Sequence, residues 1–104
     1  MDFLESLKPF EIKLPVNYNK CDWRRRKQVR EEYIKIQEGL CSHCGYPLGE
    51  CPPDSIMKLK INYLLFPENF FDHPIHLHHC HETGMTIGAV HNTCNAVLWQ
   101  YHGE

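Results

Sequence analysis

The sequence predicts a small α+β fold, and three observations carry that prediction. Residues 22–38 (DWRRRKQVREEYIKIQE) repeat apolar side chains near the helical period. Residues 74–79 and 85–90 read as two strands of a hairpin turning at Glu82-Thr83-Gly84, followed by an apolar helix that starts at Asn92 or Thr93. Two pairs of metal-ligand residue types, Cys41-x-x-Cys44 and His91-x-x-Cys94, stand at the junctions between these elements. A chain of 104 residues defaults to one domain, 1–104. Within it, 1–21 is expected to be an arm, 22–39 a basic helix, and 40–104 the knuckles with the strand–strand–helix core.

Composition narrows the class. Hydrophobic residues make up 42% and charged residues 23%, the balance of a soluble folded chain rather than a disordered one. No apolar run reaches the roughly 18 residues of a membrane helix, so no membrane partner is expected. Met1-Asp2-Phe3-Leu4-Glu5 does not open a secretory signal, which points to the reducing cytoplasm. There, six cysteines are thiols or metal ligands rather than a disulfide framework. The net charge of −2 does not by itself point to nucleic acid, but the charge is unevenly placed.

Taken in order, 1–21 is broken by Pro9 and Pro15. Asp2 to Lys8 suits a short helical turn, and Phe10-Glu11-Ile12-Lys13-Leu14 alternates as an extended arm does. Asp22 can cap the following helix, Trp23, Val29, Tyr33, Ile36 and Leu40 form its apolar stripe, and Gly39 suits its C-cap. Arg24, Arg25, Arg26 and Lys27 crowd the N-terminal end, where the helix dipole disfavours cations, and Arg30 extends the set. These five form either a solvated face or a phosphate-contacting surface. Gly45 allows the tight turn of a first knuckle. Pro52-Pro53 breaks the chain, Ile56 to Phe66 suits a strand or a short helix, and Pro67 to Asp72 suits a loop anchored by Phe70 and Phe71. In the hairpin, Ile75 and Leu77 alternate with His76 and His78. The last helix carries Ala96, Val97, Leu98, Trp99 and Tyr101, with Trp99 and Tyr101 expected in the core.

A C-x-x-C pair followed about fifty residues later by H-x-x-C offers four zinc ligands. Cys41, Cys44, His91 and Cys94 are assigned to one structural zinc ion, with Cys51 or Cys80 as alternatives to His91. Setting these aside leaves His78, His79, His81 and Asn95 together. Strand alternation sends His79 and His81 to one face and His78 to the other. A divalent ion on His78 and Asn95 with open positions would be a catalytic site, leaving His79 as a base. His43, His73, His76 and His102 are expected at the surface or behind the ligands, and Cys21 and Cys51 as plain thiols.

Three blocks then carry a family resemblance. They are Gln37-Glu38-Gly39-Leu40-Cys41-x-x-Cys44-Gly45, Leu77-His78-His79-Cys80-His81-Glu82-Thr83-Gly84, and Gly88-Ala89-Val90-His91-x-x-Cys94-Asn95-x-x-Leu98. Together they resemble the HNH (His-Me finger, ββα-metal) nucleases, in particular the phage recombination endonuclease VII subgroup. The resemblance implies a ββα-metal core and a divalent-metal-dependent DNA endonuclease. It makes His79 the general base, puts His78 in the place of a metal-binding aspartate, makes Asn95 the other ligand, and has His81 contact the phosphate or the metal. Cys41, Cys44, His91 and Cys94 would hold the structural zinc.

His78 in place of aspartate weakens the preference for Mg2+ and favours Mn2+, Co2+, Ni2+ or Zn2+, so the expected catalytic ion is Mg2+ or Mn2+, with Co2+ and Ni2+ as alternatives. His91 replaces a third zinc cysteine, and Ile87 stands where the family often has arginine. The sequence stops at Glu104, short of the dimerisation region of the junction-resolving member. Nicking or cutting of ordinary duplex DNA is therefore expected, with a homodimer left open. The family's setting is phage or mobile elements, hence the host cytoplasm. The rival expectation is a non-catalytic zinc-knuckle module that binds nucleic acid or protein.

Overall fold

The computed structural model describes residues 13–103. In chain order it has a short 3-10 turn Tyr18–Lys20, helix α1 Trp23–Ile36, the single-turn helix α2 Asp54–Met57, a second 3-10 turn Tyr63–Leu65, strands β1 Ile75–His79 and β2 Thr86–His91, and helix α3 Asn92–His102. Among the described residues this is a small α+β fold with one two-stranded antiparallel sheet and three helices. None of these helices is long and apolar enough to cross a membrane. The expected turn over Asp2 to Lys8 and the first part of the Phe10–Leu14 arm lie outside the described residues.

Asp22 starts α1 as its chemistry dictates: its carboxylate accepts the Arg25 backbone N–H at 2.8 Å, satisfying one of the donors a helix start leaves over. The helix ends at Ile36, two residues before the expected boundary, with Gln37 as its C-cap. Gly39 follows in the left-handed region at φ 78° and donates to the Ile34 carbonyl at 2.8 Å, which closes the last turn. Val29 and Tyr33, one turn apart, are the buried face of α1. The rest of the expected stripe is not buried: Trp23, Ile36 and Leu40 are 70%, 61% and 41% exposed. Fourteen residues make a helix of about 21 Å, and the hairpin it packs on covers its middle, not its ends.

β1 and β2 pair in the register Ile75–His91 through His78–Gly88, and then His79 pairs with Thr86. Ile87 is thus an extra residue, a β-bulge opposite the His78–His79 step. The outer edge of β2 is closed by Gln37, whose amide both donates to the Ala89 carbonyl and accepts the Ala89 N–H at 2.9 Å. The Ser42 N–H also reaches the Ala89 carbonyl, at 3.0 Å. One side chain and one loop therefore do what a third strand would do.

The segment after Pro53 contains the single turn α2 and no strand among its described residues. It is fastened to α3: the Tyr101 hydroxyl donates to the Lys60 carbonyl at 2.6 Å, and Gln100 bonds Lys60 and Asn62. Phe70 and Phe71 do anchor the following loop, packing on each other and on Phe66. Trp99 and Tyr101 are not core residues, at 39% and 49% exposed. The buried face of α3 is Cys94, Val97 and Leu98, spaced i, i+3, i+4, with Ala96 beside it. Trp99 and Tyr101 fall on its flank.

At Gly88 the side chains of Ser42 and Gln37 approach the strand backbone closely. A Cβ there would lie 2.8 Å from Ser42 Oγ and 2.9 Å from Gln37 Oε1. Gly88→Ala is expected to cost about 1–3 kcal/mol through overpacking. The thermal midpoint should drop by at least about 4 °C. Gly49→Ala, where a Cβ meets nothing within 4 Å, is the control and should leave the midpoint unchanged.

Candidate metal centre and adjoining cleft

The first knuckle is shaped by its own backbone. Gly45, at φ 79°, donates to the Cys41 carbonyl at 3.0 Å, and Cys41 donates to the Tyr46 carbonyl at 2.8 Å. This brings Cys41 and Cys44 to the junction of β2 and α3, where His91 and Cys94 stand. One ligand atom from each of the four residues lies within 4.8 Å of every other. His91 Nδ1 is 3.4 Å from Cys44 Sγ and 3.6 Å from Cys94 Sγ. A tetrahedral zinc ion, with Zn–S about 2.3 Å and Zn–N about 2.0 Å, separates its sulfur and nitrogen ligands by about 3.5 Å. The donor set could therefore hold one zinc ion. His91 Nε2 donates to the Pro47 carbonyl at 2.9 Å, which fixes the tautomer that presents the Nδ1 lone pair. Cys51 is exposed, and neither it nor Cys80 belongs to this group.

The sulfurs perturb one another as such crowding requires. A hydrogen bond from Cys94 pulls the Cys41 thiol down to about 4, and the same bond pushes Cys94 up. Burial pushes Cys44 up. One thiolate is thus ready, and a cation is what would make the other two favourable.

Against this centre lies a cleft of about 700 Å³. Its walls come from one face of α1, the loop around Phe66 to His73, the end of β1 and the start of α3. His79, His81 and Asn95 all line it, and so does His76. His79 ends β1 and His81 stands in the turn that follows, beyond the reach of strand alternation, yet both line the cleft with ring centroids 5.0 Å apart. His79 stacks flat on Tyr18, centroids 3.8 Å apart and planes 6° apart. Tyr18 is placed by its N–H to the Gly84 carbonyl at 2.7 Å. Gly84, at φ 79°, could not carry a side chain there, since a Cβ would meet Asn17 and Asn19 at 2.8 Å. Arg26 covers the other face of Tyr18 at 3.8 Å and donates to its carbonyl at 3.1 Å. Burial, then the neighbouring His81, hold the His79 imidazole below its usual range, with His78 and Arg26 adding to the effect. The neutral form of the His79 imidazole is accordingly favoured.

Asn95 follows Cys94, so the α3 start sets its position. Its amide nitrogen meets His76 Nδ1 at 3.0 Å. His76 is half-buried, packs edge-on against Phe70 at 4.6 Å, and is lowered mainly by burial. His78 is buried, 3% exposed. Of the five helix cations, Arg26 and Arg30 line the cleft together with Trp23, a set spaced i, i+3, i+7. Arg24 and Lys27 are exposed, and Arg25 bonds Gln28 at 3.3 Å. Among the described residues, no carboxylate lines the cleft.

No protein-family model, curated protein or solved structure matches this chain. The functional reading therefore rests on its residues. Sequence reasoning groups His78, His79, His81 and Asn95; the structure places His79, His81 and Asn95 on the cleft wall, whereas His78 is buried and is not among its lining residues. The same reasoning set His76 aside as a surface or supporting histidine, although strand alternation put it on the face of His78. Nothing local could have pointed to Tyr18, whose contact with His79 joins distant segments.

Two measurements test these arrangements. Native mass spectrometry should find one zinc per chain, and Cys94→Ser should lose it and lower the thermal midpoint by more than about 8 °C, the upper effect of 1 kcal/mol in a domain this size. In proton NMR titrations His79 should titrate below 6.5. Tyr18→Ala, by uncovering one ring face, should move it back up. The sign for stability follows: with His76 and His79 depressed in the fold, the unfolded chain binds more protons below about 6.5. Their contribution is complete above that pH and is lost as pH falls through the folded values.

Proposed function

We propose that this chain is a metal-dependent DNA endonuclease with a ββα-metal core, as the HNH resemblance implies. The observation that carries the reading is the cleft itself: His79, its neutral form favoured, faces two arginines, with His81 and Asn95, in a space that no described carboxylate enters. That is the equipment for hydrolysing a phosphodiester. His79 takes a proton from a water, the water oxygen attacks phosphorus, and the bond to the leaving oxygen breaks. Arg26 and Arg30 meet the phosphate charge. Tyr18, clamped between Arg26 and His79, holds the base in its plane.

A divalent ion would be held by the Asn95 carbonyl oxygen and the His78 imidazole, as the resemblance implies. When bound, it supplies Lewis-acid stabilisation of the phosphate charge. An imidazole–amide set suits Mn2+, Co2+ or Ni2+ better than Mg2+. The zinc centre, closed by four protein ligands, is the staple that fixes Asn95 and takes no part in the reaction.

A second reading, a zinc-stapled binding module without catalysis, is favoured by one observation. Among the described residues, the zinc group is the tight cluster of three or more histidine, cysteine or carboxylate ligands. Supercoiled-plasmid cleavage separates the two. The zinc-loaded protein should nick or linearise plasmid with at least one of Mg2+, Mn2+, Co2+ and Ni2+. His79→Ala should be slower by about 10²- to 10⁴-fold while retaining its zinc. Absence of cleavage with every ion, in folded zinc-loaded protein, counts against the nuclease and leaves the binding module as the reading.

A further inference from the structure

The chain has two tryptophans, and both line the cleft. Trp23 is 70% exposed and Trp99 39%, and Phe66 and Phe70 complete an aromatic wall. The Phe66 ring meets Trp99 at 5.7 Å and Phe70 at 4.6 Å. Single exposed apolar side chains need no explanation, but several of the largest gathered in one cavity mark a binding surface. The volume, about 700 Å³, is that of a ligand pocket and exceeds what one aromatic ring requires.

The charge of the wall says what kind of ligand enters. The sequence as a whole carries more acidic than basic residues, 13 against 11. The cleft nevertheless has Arg26 and Arg30 and, among the described residues, no carboxylate. Aromatic faces interleaved with cations are the surface on which bases stack while phosphates are neutralised. A duplex hides its base faces inside the stack, whereas an unpaired strand offers them.

We infer that the cleft beside His79 binds unpaired bases of a DNA strand, with Trp23 and Trp99 as stacking platforms and Arg26 and Arg30 on the phosphates. This makes the favoured substrate single-stranded or locally opened DNA rather than closed duplex. The inference rests on the nuclease reading for the choice of DNA, and on the cleft for the unpaired bases.

Because both tryptophans are in the cleft, intrinsic fluorescence reports its occupancy directly. Zinc-loaded protein, without an added catalytic ion, is titrated with oligothymidylate and with the same strand annealed to oligoadenylate. The single strand should quench the emission saturably and bind at least about tenfold more tightly than the duplex. Trp23→Ala should weaken single-strand binding by about 5- to 150-fold, and Trp23→Phe should restore most of it. Trp23 lies largely in solvent, so these changes leave the fold intact.

Duplex binding as tight as single-strand binding overturns the inference, as does Trp23→Ala with unchanged affinity. Plasmid cleavage by a protein that fails this titration keeps the nuclease and removes the base-stacking cleft. Tight, Trp23-dependent single-strand binding without cleavage under any metal does the reverse.

Discussion

The three-cysteine, one-histidine centre is the constraint on which the remaining geometry depends. It ties the loop carrying Cys41 and Cys44 to the corner where β2 becomes α3, a junction that local propensity alone would not hold. His91 shows the trade made there. It is the N-cap of α3 yet makes no side-chain capping bond, because its ring is committed to Pro47 and to the sulfurs. A missing cap costs about 1 kcal/mol, which binding of a zinc ion there would offset several times over. Cys41 and Cys94 also belong to the buried cluster with Val29, Leu48, Leu77, Ala89 and Val90, so the metal centre and the apolar core are one unit. Asn95 inherits its place from that unit.

The hairpin separates two kinds of work. Toward β2 it is clamped by Gln37, Ser42 and the tight approach at Gly88, groups that set distance. Around the end of β1 it presents imidazoles to a space walled by aromatic and cationic side chains. The N-terminal segment joins the two: Val16 exchanges bonds with Thr86 at 2.9 and 3.0 Å, Thr86 meets the Tyr33 hydroxyl at 2.9 Å, and Tyr18 then lies on His79. A residue far back in the chain thereby covers one face of the candidate base.

Much of this was legible because it is local. The hairpin showed in alternation, α1 in its cap and period, and the metal ligands in their two-residue gaps, where spacing alone fixes what can clasp an ion. The failures share a cause. Apolar character was taken for burial at Trp23, Ile36, Trp99 and Tyr101, but a two-stranded sheet has too little area to cover both long helices from end to end. His76 gives no local signal, because its contact is with Asn95 on another element. The pairing of Tyr18 with His79 and the division of the basic helix into two cleft arginines and three others are properties of packing, which no spacing rule encodes.

The bulge at Ile87 has a consequence for how this chain tolerates change. Ile87 is 47% exposed, while Thr86 and Gly88 on either side of it are buried. Its side chain is therefore the least constrained feature of the strand, and its presence as a spacer among the most. Many residues could occupy the position. Deleting it would remove the bulge and leave His79 opposite Thr86 in a plain ladder, without the local bend and twist that the extra residue gives this end of the hairpin. At this point of the hairpin the length of the chain is under stricter control than its chemistry.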